Sequence, residues 1–130
     1  MPRYVLSPDA ALHVVGQAAA PSADALLAPT LLRPEVLDRL YRAARAGELT
    51  ASEAEARRRR FDGLKVRYLG DRVLRRTAWK IAEEAGEDGT GRAEYVALTQ
   101  LQADALVTED AALTALAQGR APVRPLSVLS

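Results

Sequence analysis

At 130 residues, with 48% hydrophobic and 27% charged side chains, the chain has the composition of one ordinary globular domain, 1–130, long enough to bury about two thirds of its unfolded surface. It holds no cysteine and one histidine, His13, which excludes disulfides, thiolate metal sites, cysteine nucleophiles and a histidine-built metal site. A formal net charge of +1 gives no general attraction to nucleic acid, so any such binding has to come from a local patch.

The opening MPRYVL runs straight into an apolar strand with no charged leader before it. Nowhere do apolar residues continue for the ~18 positions of a membrane span. A soluble cytoplasmic protein with no membrane partner is expected. Arg3 to Leu6 reads as a strand, and Pro8 to Gly16 as a helix with Ala11, Leu12 and Val15 on one face. Residues 18–25 read as a loop, and Leu26 to Ala28 as a short strand ending at Pro29. The next helix carries Val36, Leu37, Leu40, Tyr41 and Ala44 on one stripe and closes at Gly47. Its start is open between a Thr30 cap and Pro34 as first helical residue.

Thr50 and Ser52 each precede a glutamate by three, the capping-box pattern, and open a charged helix to about Phe61. Leu64 to Leu69 alternates as a strand. Asp71 to Ala85 is the most periodic segment, with Val73, Leu74, Thr77, Ala78, Ile81, Ala82 and Ala85 inward and Gly86 as its stop. Then come a helix over Arg92 to Gln102, a buried strand over Ala105 to Thr108 and a helix over Asp110 to Gln118. A last strand, Val123 to Val128, is marked as an edge by Pro125. Strands alternating with helices predict a mostly parallel sheet covered on both faces, with ligands at the carboxyl ends of the strands. That places Ser7, Pro29 to Glu35, and Thr108 to Asp110 at the candidate site.

Four strings in this order, Tyr4-Val5-Leu6, Ala28-Pro29 through Glu35-Val36, Ala93-Glu94-Tyr95-Val96-Ala97-Leu98 and Leu106-Val107-Thr108-Glu109-Asp110, span essentially the whole chain. Together they resemble the PIN-domain family, most closely the small VapC-type toxins of bacterial toxin–antitoxin pairs. The resemblance implies a three-layer α/β/α fold with a mainly parallel sheet of four or five strands. It also implies cleavage of single-stranded RNA with Mg²⁺ or Mn²⁺ held by four carboxylates, a homodimer, and a small antitoxin-like partner. A hard divalent cation takes oxygen ligands, acidifies a bound water and steadies the charge gathering on a phosphate. Glu35 matches the second acid of the pattern, Asp110 the last, and Thr108 the hydroxyl residue beside it.

Two positions depart from the pattern. Ser7 stands where the opening strand should end in Asp, and Arg92 where the string ending in "YVAL" should begin with one. Asp9 lies close enough to lend an oxygen, and Asp88 or Glu109 is a further candidate helper. Two unit charges ~4 Å apart interact by roughly 4 kcal/mol at an effective dielectric of 20, so a divalent cation facing Arg92 is repelled by more than that. Arg92 is expected either to bridge Glu35 and Asp110 as the site's positive charge or to point into solvent.

Ser7, Pro8 and Asp9 are also favoured helix-opening residues, a cap, a first helical proline and a first-turn acid. Asp110 can likewise cap the helix after it. Arg57 to Arg60 reads as a solvated helix face or a phosphate-binding one, and Trp79 as a half-buried core aromatic or a ligand platform. The function expected is that of a VapC-like PIN domain with lost or weakened metal-dependent RNA cleavage, holding no metal and acting through RNA or a protein partner. The alternative is an active Mg²⁺-dependent endoribonuclease toxin using Glu35, Asp110 and Asp9.

Overall fold

The computed structural model describes residues 2–17, 19–21 and 25–130. Among these, β1 (Arg3–Leu6), β2 (Ala25–Pro29), β3 (Arg67–Leu69), β4 (Ala105–Val107) and β5 (Val123–Arg124) form one five-stranded sheet. Its order is β3-β2-β1-β4-β5 and every pairing is parallel. The helices are α1 (Pro8–Gly16), α2 (Leu32–Arg45), α3 (Ala51–Asp62), α4 (Arg72–Ala85), α5 (Gly91–Gln102) and α6 (Ala111–Ala117). A 3₁₀ turn, Leu126–Leu129, follows β5.

The strand order fixes the layers. From β1 the chain steps to β2 and β3 on one side, then returns across the sheet to β4 and β5 on the other. Parallel crossovers are right-handed, so α1, α2 and α3 cover one face and α4, α5 and α6 the opposite face. The packing agrees: α1, α2 and α3 touch one another, while α5 lies across β1, β2 and β4 between α4 and α6. The result is a three-layer α/β/α fold. Being the central cover, α5 buries Ala93 and everything from Tyr95 to Thr99. The direction of travel reverses between β1 and β4, which opens a crevice at their carboxyl ends where ligands bind in sheets of this kind.

Local chemistry explains most boundaries. Ser7 caps α1, its hydroxyl accepting the Ala10 amide at 3.1 Å, with Pro8 at the first helical position. Thr50 and Glu53 exchange both bonds of a capping box, and Ser52 takes no part. Asp71 caps α4, Asp110 caps α6, and Gly86 ends α4 at φ 69°, a conformation that suits a residue without Cβ. α2 begins at Leu32 without a side-chain cap, so neither the Thr30 side chain nor Pro34 starts it. Pro34 falls in the first turn, whose amides have no intrahelical partner to lose.

Several expectations need correction. On α2 the buried residues are Leu32, Val36 and Leu40, whereas Leu37 is 53% and Tyr41 64% exposed. The helix packs beside α3 and leaves part of its apolar stripe open. On α4 Val73 and Ala85 are exposed too. The strand expected over Leu64 to Leu69 is confined to β3. The edge strand after Val123 ends at Arg124, because the Leu126 amide bonds the Glu109 carboxylate at 2.9 Å instead of continuing a ladder. Of the loop expected at residues 18–25, positions 18 and 22–24 lie outside the described residues, and Ala25 already belongs to β2.

No helix among the described residues is long and apolar enough to cross a membrane.

Candidate functional site

The switch point between β1 and β4 holds a cleft of about 160 Å³ lined by Asp9, Glu35, Arg39, Arg92, Tyr95 and Asp110, among others. The fold therefore brings Asp9, Glu35, Asp110 and Arg92 to one place from α1, α2, α6 and α5. Larger concavities lie elsewhere. One, of about 650 Å³ between α2, α3 and β3, is lined by Leu37, Leu40, Phe61 and Tyr68, and Arg33 stacks on the Tyr68 ring 3.9 Å from its centroid.

Asp9 is a strut across the crevice. Its Oδ1 accepts the Thr108 hydroxyl at 2.7 Å and its Oδ2 accepts the Glu109 amide at 2.8 Å. The Ser7 hydroxyl lies 2.5 Å from the same Oδ1 and 2.7 Å from the Val107 carbonyl, and donates its one proton to either. Ser7 is fully buried and Thr108 is 2% exposed. Thr108 in turn accepts the Asp110 amide at 3.0 Å. The end of β1, the start of α1 and the end of β4 are thus joined through one carboxylate. Ser7 has the capping role; its side chain is withdrawn from the cleft.

Asp110 spends Oδ2 on the Leu113 amide at 2.9 Å, the N-cap bond of α6. Glu35 accepts the Tyr95 hydroxyl at 2.5 Å. Tyr95 is 2% exposed, and burial first, then the bond and charge of Glu35, push its phenol far above the usual value, so it stays a donor. Glu94, beside it on α5, is half-buried; burial raises its carboxyl, the Glu35 charge raises it further, and Arg75 opposes both.

Arg92 does not bridge Glu35 and Asp110. Its Nε donates to Glu87 at 3.0 Å, across the loop that precedes α5, and its side chain stays half-exposed at the mouth of the cleft. The expected internal counter-ion is therefore an ion pair at the rim. The short loop before α5 keeps Glu87 within reach of Arg92.

A divalent cation fits this donor set poorly. Both oxygens of Asp9 and one each of Glu35 and Asp110 already accept hydrogen bonds from the protein, and two guanidinium groups line the same space. Among the described residues no three His, Cys, Asp or Glu side chains group closely enough to hold an ion.

The remaining candidates lie elsewhere. Glu109 bonds the Leu126 amide, and Asp88 lines a separate depression with Trp79 and Glu83 of α4 and Glu87 of the loop after it. Trp79 is 65% exposed, so it is no core aromatic, and its acidic surroundings do not suit phosphate. In the arginine run, Arg58 pairs with Glu55 and Asp62, Arg59 pairs with Glu55, and Arg60 bonds the Val15 carbonyl near the end of α1 at 2.9 Å. Most of that run is tied to the protein, which favours the structural reading over a phosphate face. His13 meets Ser130 at 3.1 Å.

Sequence reasoning missed Arg39 and Glu94. Arg39 carried a usable signal, since it stands four residues after Glu35 and so shares its helix face. Glu94 approaches Glu35 from another layer, which no local pattern records. No protein-family model matches the chain, and comparison with curated proteins finds no match.

Proposed function

We propose that the chain is a PIN-like domain of the VapC kind in which metal-dependent RNA cleavage is lost or weakened, and which acts by binding RNA or a protein partner. The observation that carries this reading is the state of the cleft's carboxylates. Asp9 has both oxygens engaged, Glu35 and Asp110 each have one engaged, and Arg92 lines the same space, at a position where the resemblance implies a further acid. A small antitoxin-like protein and a second copy of the chain are the protein partners that go with it, and a cytoplasmic location suits an RNA ligand.

The second reading, an active Mg²⁺- or Mn²⁺-dependent endoribonuclease, draws on the same cleft, because Asp9, Glu35 and Asp110 do line one space. In that case the metal would be held by Glu35 and Asp110, with Asp9 beside them. Cleavage of a fluorophore-quencher single-stranded RNA, in Mn²⁺ and in EDTA, by the unaltered protein and by Arg92→Asp separates the two. The first reading expects no Mn²⁺-dependent cleavage by the unaltered protein and any gain to be confined to Arg92→Asp. Mn²⁺-dependent cleavage by the unaltered protein that Glu35→Gln abolishes would overturn it.

A further inference from the structure

The hydrogen-bonding capacity left unspent in the cleft points to one ligand chemistry. Its carboxylates are largely taken, as described above, whereas its cations are not. Among the described residues Arg39 makes no hydrogen bond or ion pair, and Arg92 commits only Nε, leaving its terminal amines free. The two guanidiniums reach the cleft from α2 and α5, helices on opposite faces of the sheet. A guanidinium is a fork of donors matched to phosphate oxygens.

The free acceptors are the second oxygens of Glu35 and Asp110. With three carboxylates and two guanidiniums in its lining, the cleft carries a net charge of −1 and offers a bare anion little. A ligand that presents acceptors to the arginines and a donor to a carboxylate satisfies both sets. The backbone of RNA does so within one nucleotide, through its phosphate and its 2′-hydroxyl, and that hydroxyl is what lets a protein tell RNA from DNA.

We infer that the cleft is a metal-free clamp for a ribonucleotide backbone, with the phosphate between Arg39 and Arg92 and the 2′-hydroxyl donated to Glu35 or Asp110. This rests on the RNA-binding reading above and deepens it: the positive charge that meets the phosphate is supplied by side chains. Arg39 is then a binding residue and Tyr95 a positioning residue that fixes Glu35.

The test is fluorescence anisotropy of a labelled oligouridine RNA in EDTA, against the unaltered protein, Arg39→Ala, Arg92→Ala and Arg45→Ala. Arg45 is exposed on the same helix but outside the cleft, so its removal controls for charge. Both cleft variants are expected to bind about tenfold or more weakly, each lowering the salt slope by about 0.7, the value for one lost phosphate contact on a single strand. Arg45→Ala is expected to change affinity less than about twofold. Oligodeoxyuridine is expected to bind several-fold more weakly than the RNA, and millimolar inorganic phosphate not to displace it.

Thermal midpoints of the variants within a degree or so of the unaltered protein show that the fold is kept. RNA binding in EDTA that survives Arg39→Ala and Arg92→Ala overturns the clamp and leaves the RNA-binding reading standing. Equal affinity for RNA and DNA overturns the 2′-hydroxyl contact, and with it the clamp as stated. Binding that appears only when Mn²⁺ is added overturns both the clamp and the reading beneath it.

Discussion

Replacing Asp9 by alanine removes the acceptor for three donors at once. Of these, Ser7 keeps the Val107 carbonyl as an alternative partner 2.7 Å away, so its loss is small. The Thr108 hydroxyl is 2% exposed and has no such fallback, and the Glu109 amide sits near the surface where water can reach it. Bonds to a charged acceptor are worth about 1.5–3 kcal/mol each, so about 2 kcal/mol for Thr108 and about 1 kcal/mol for the solvated amide give about 3 kcal/mol in all. For a domain of this size that corresponds to a fall in Tm of about 10 °C.

Asp9→Asn keeps an oxygen for the hydroxyls but turns an amino group toward the Glu109 amide, and about half the loss is expected. Thermal unfolding followed by circular dichroism at pH 7 checks both variants. A shift smaller than about 2 °C for Asp9→Ala would refute the strut. If that variant instead kept its stability and changed its response to Mn²⁺, Asp9 would be a metal ligand.

Three further outcomes follow from the same geometry. Tyr95→Phe removes one bond to Glu35 from a buried phenol and is expected to cost about 1 to 1.5 kcal/mol by urea unfolding, since Glu35 itself can still reach water. Glu94→Gln tests the raised carboxyl: the folded state holds that proton more tightly than the unfolded chain, so the group's contribution is full at low pH and is lost as pH rises through its folded pKa. The variant should therefore unfold at a higher temperature than the unaltered protein at pH 7, with the advantage fading as pH falls below the ordinary glutamate range, where the carboxyl too becomes neutral. Gly86→Ala forces a Cβ into a residue at φ 69° and should lower stability by about 1 kcal/mol, although nothing lies within 4 Å to clash with it.

The parts of the fold that were legible in the sequence are those decided by short-range chemistry. Ser7-Pro8, Thr50 with Glu53, Asp71, Gly86 and Asp110 each act within a turn, and each begins or ends a helix where expected. The alternation of strands and helices was enough for the parallel sheet. What stayed hidden depended on neighbours distant in sequence. Leu37 and Tyr41 fit a helical stripe as well as Val36 and Leu40 do, and only the packing of α2 in the fold separates the exposed pair from the buried one.

The site divides in the same way. That Glu35 and Asp110 converge followed from strand ends; that Asp9 would be consumed by Thr108 and Glu109, a hundred residues on, did not. Arg92 does reach the cleft, but its partner Glu87 lies across a loop whose conformation the pattern does not encode. Arg39 was within reach of a local pattern, four residues after Glu35, whereas Glu94 approaches Glu35 from another layer and is visible only in the fold.

The central claim is that the cleft, with Asp9 fully engaged, Glu35 and Asp110 each half engaged and two guanidiniums in its lining, does not hold a divalent cation. Isothermal titration of Mn²⁺ into the unaltered protein at pH 7 tests it most directly. The account expects no saturable heat at micromolar metal, and the same result for Glu35→Gln. A one-to-one micromolar isotherm that Glu35→Gln or Asp110→Asn abolishes would contradict it.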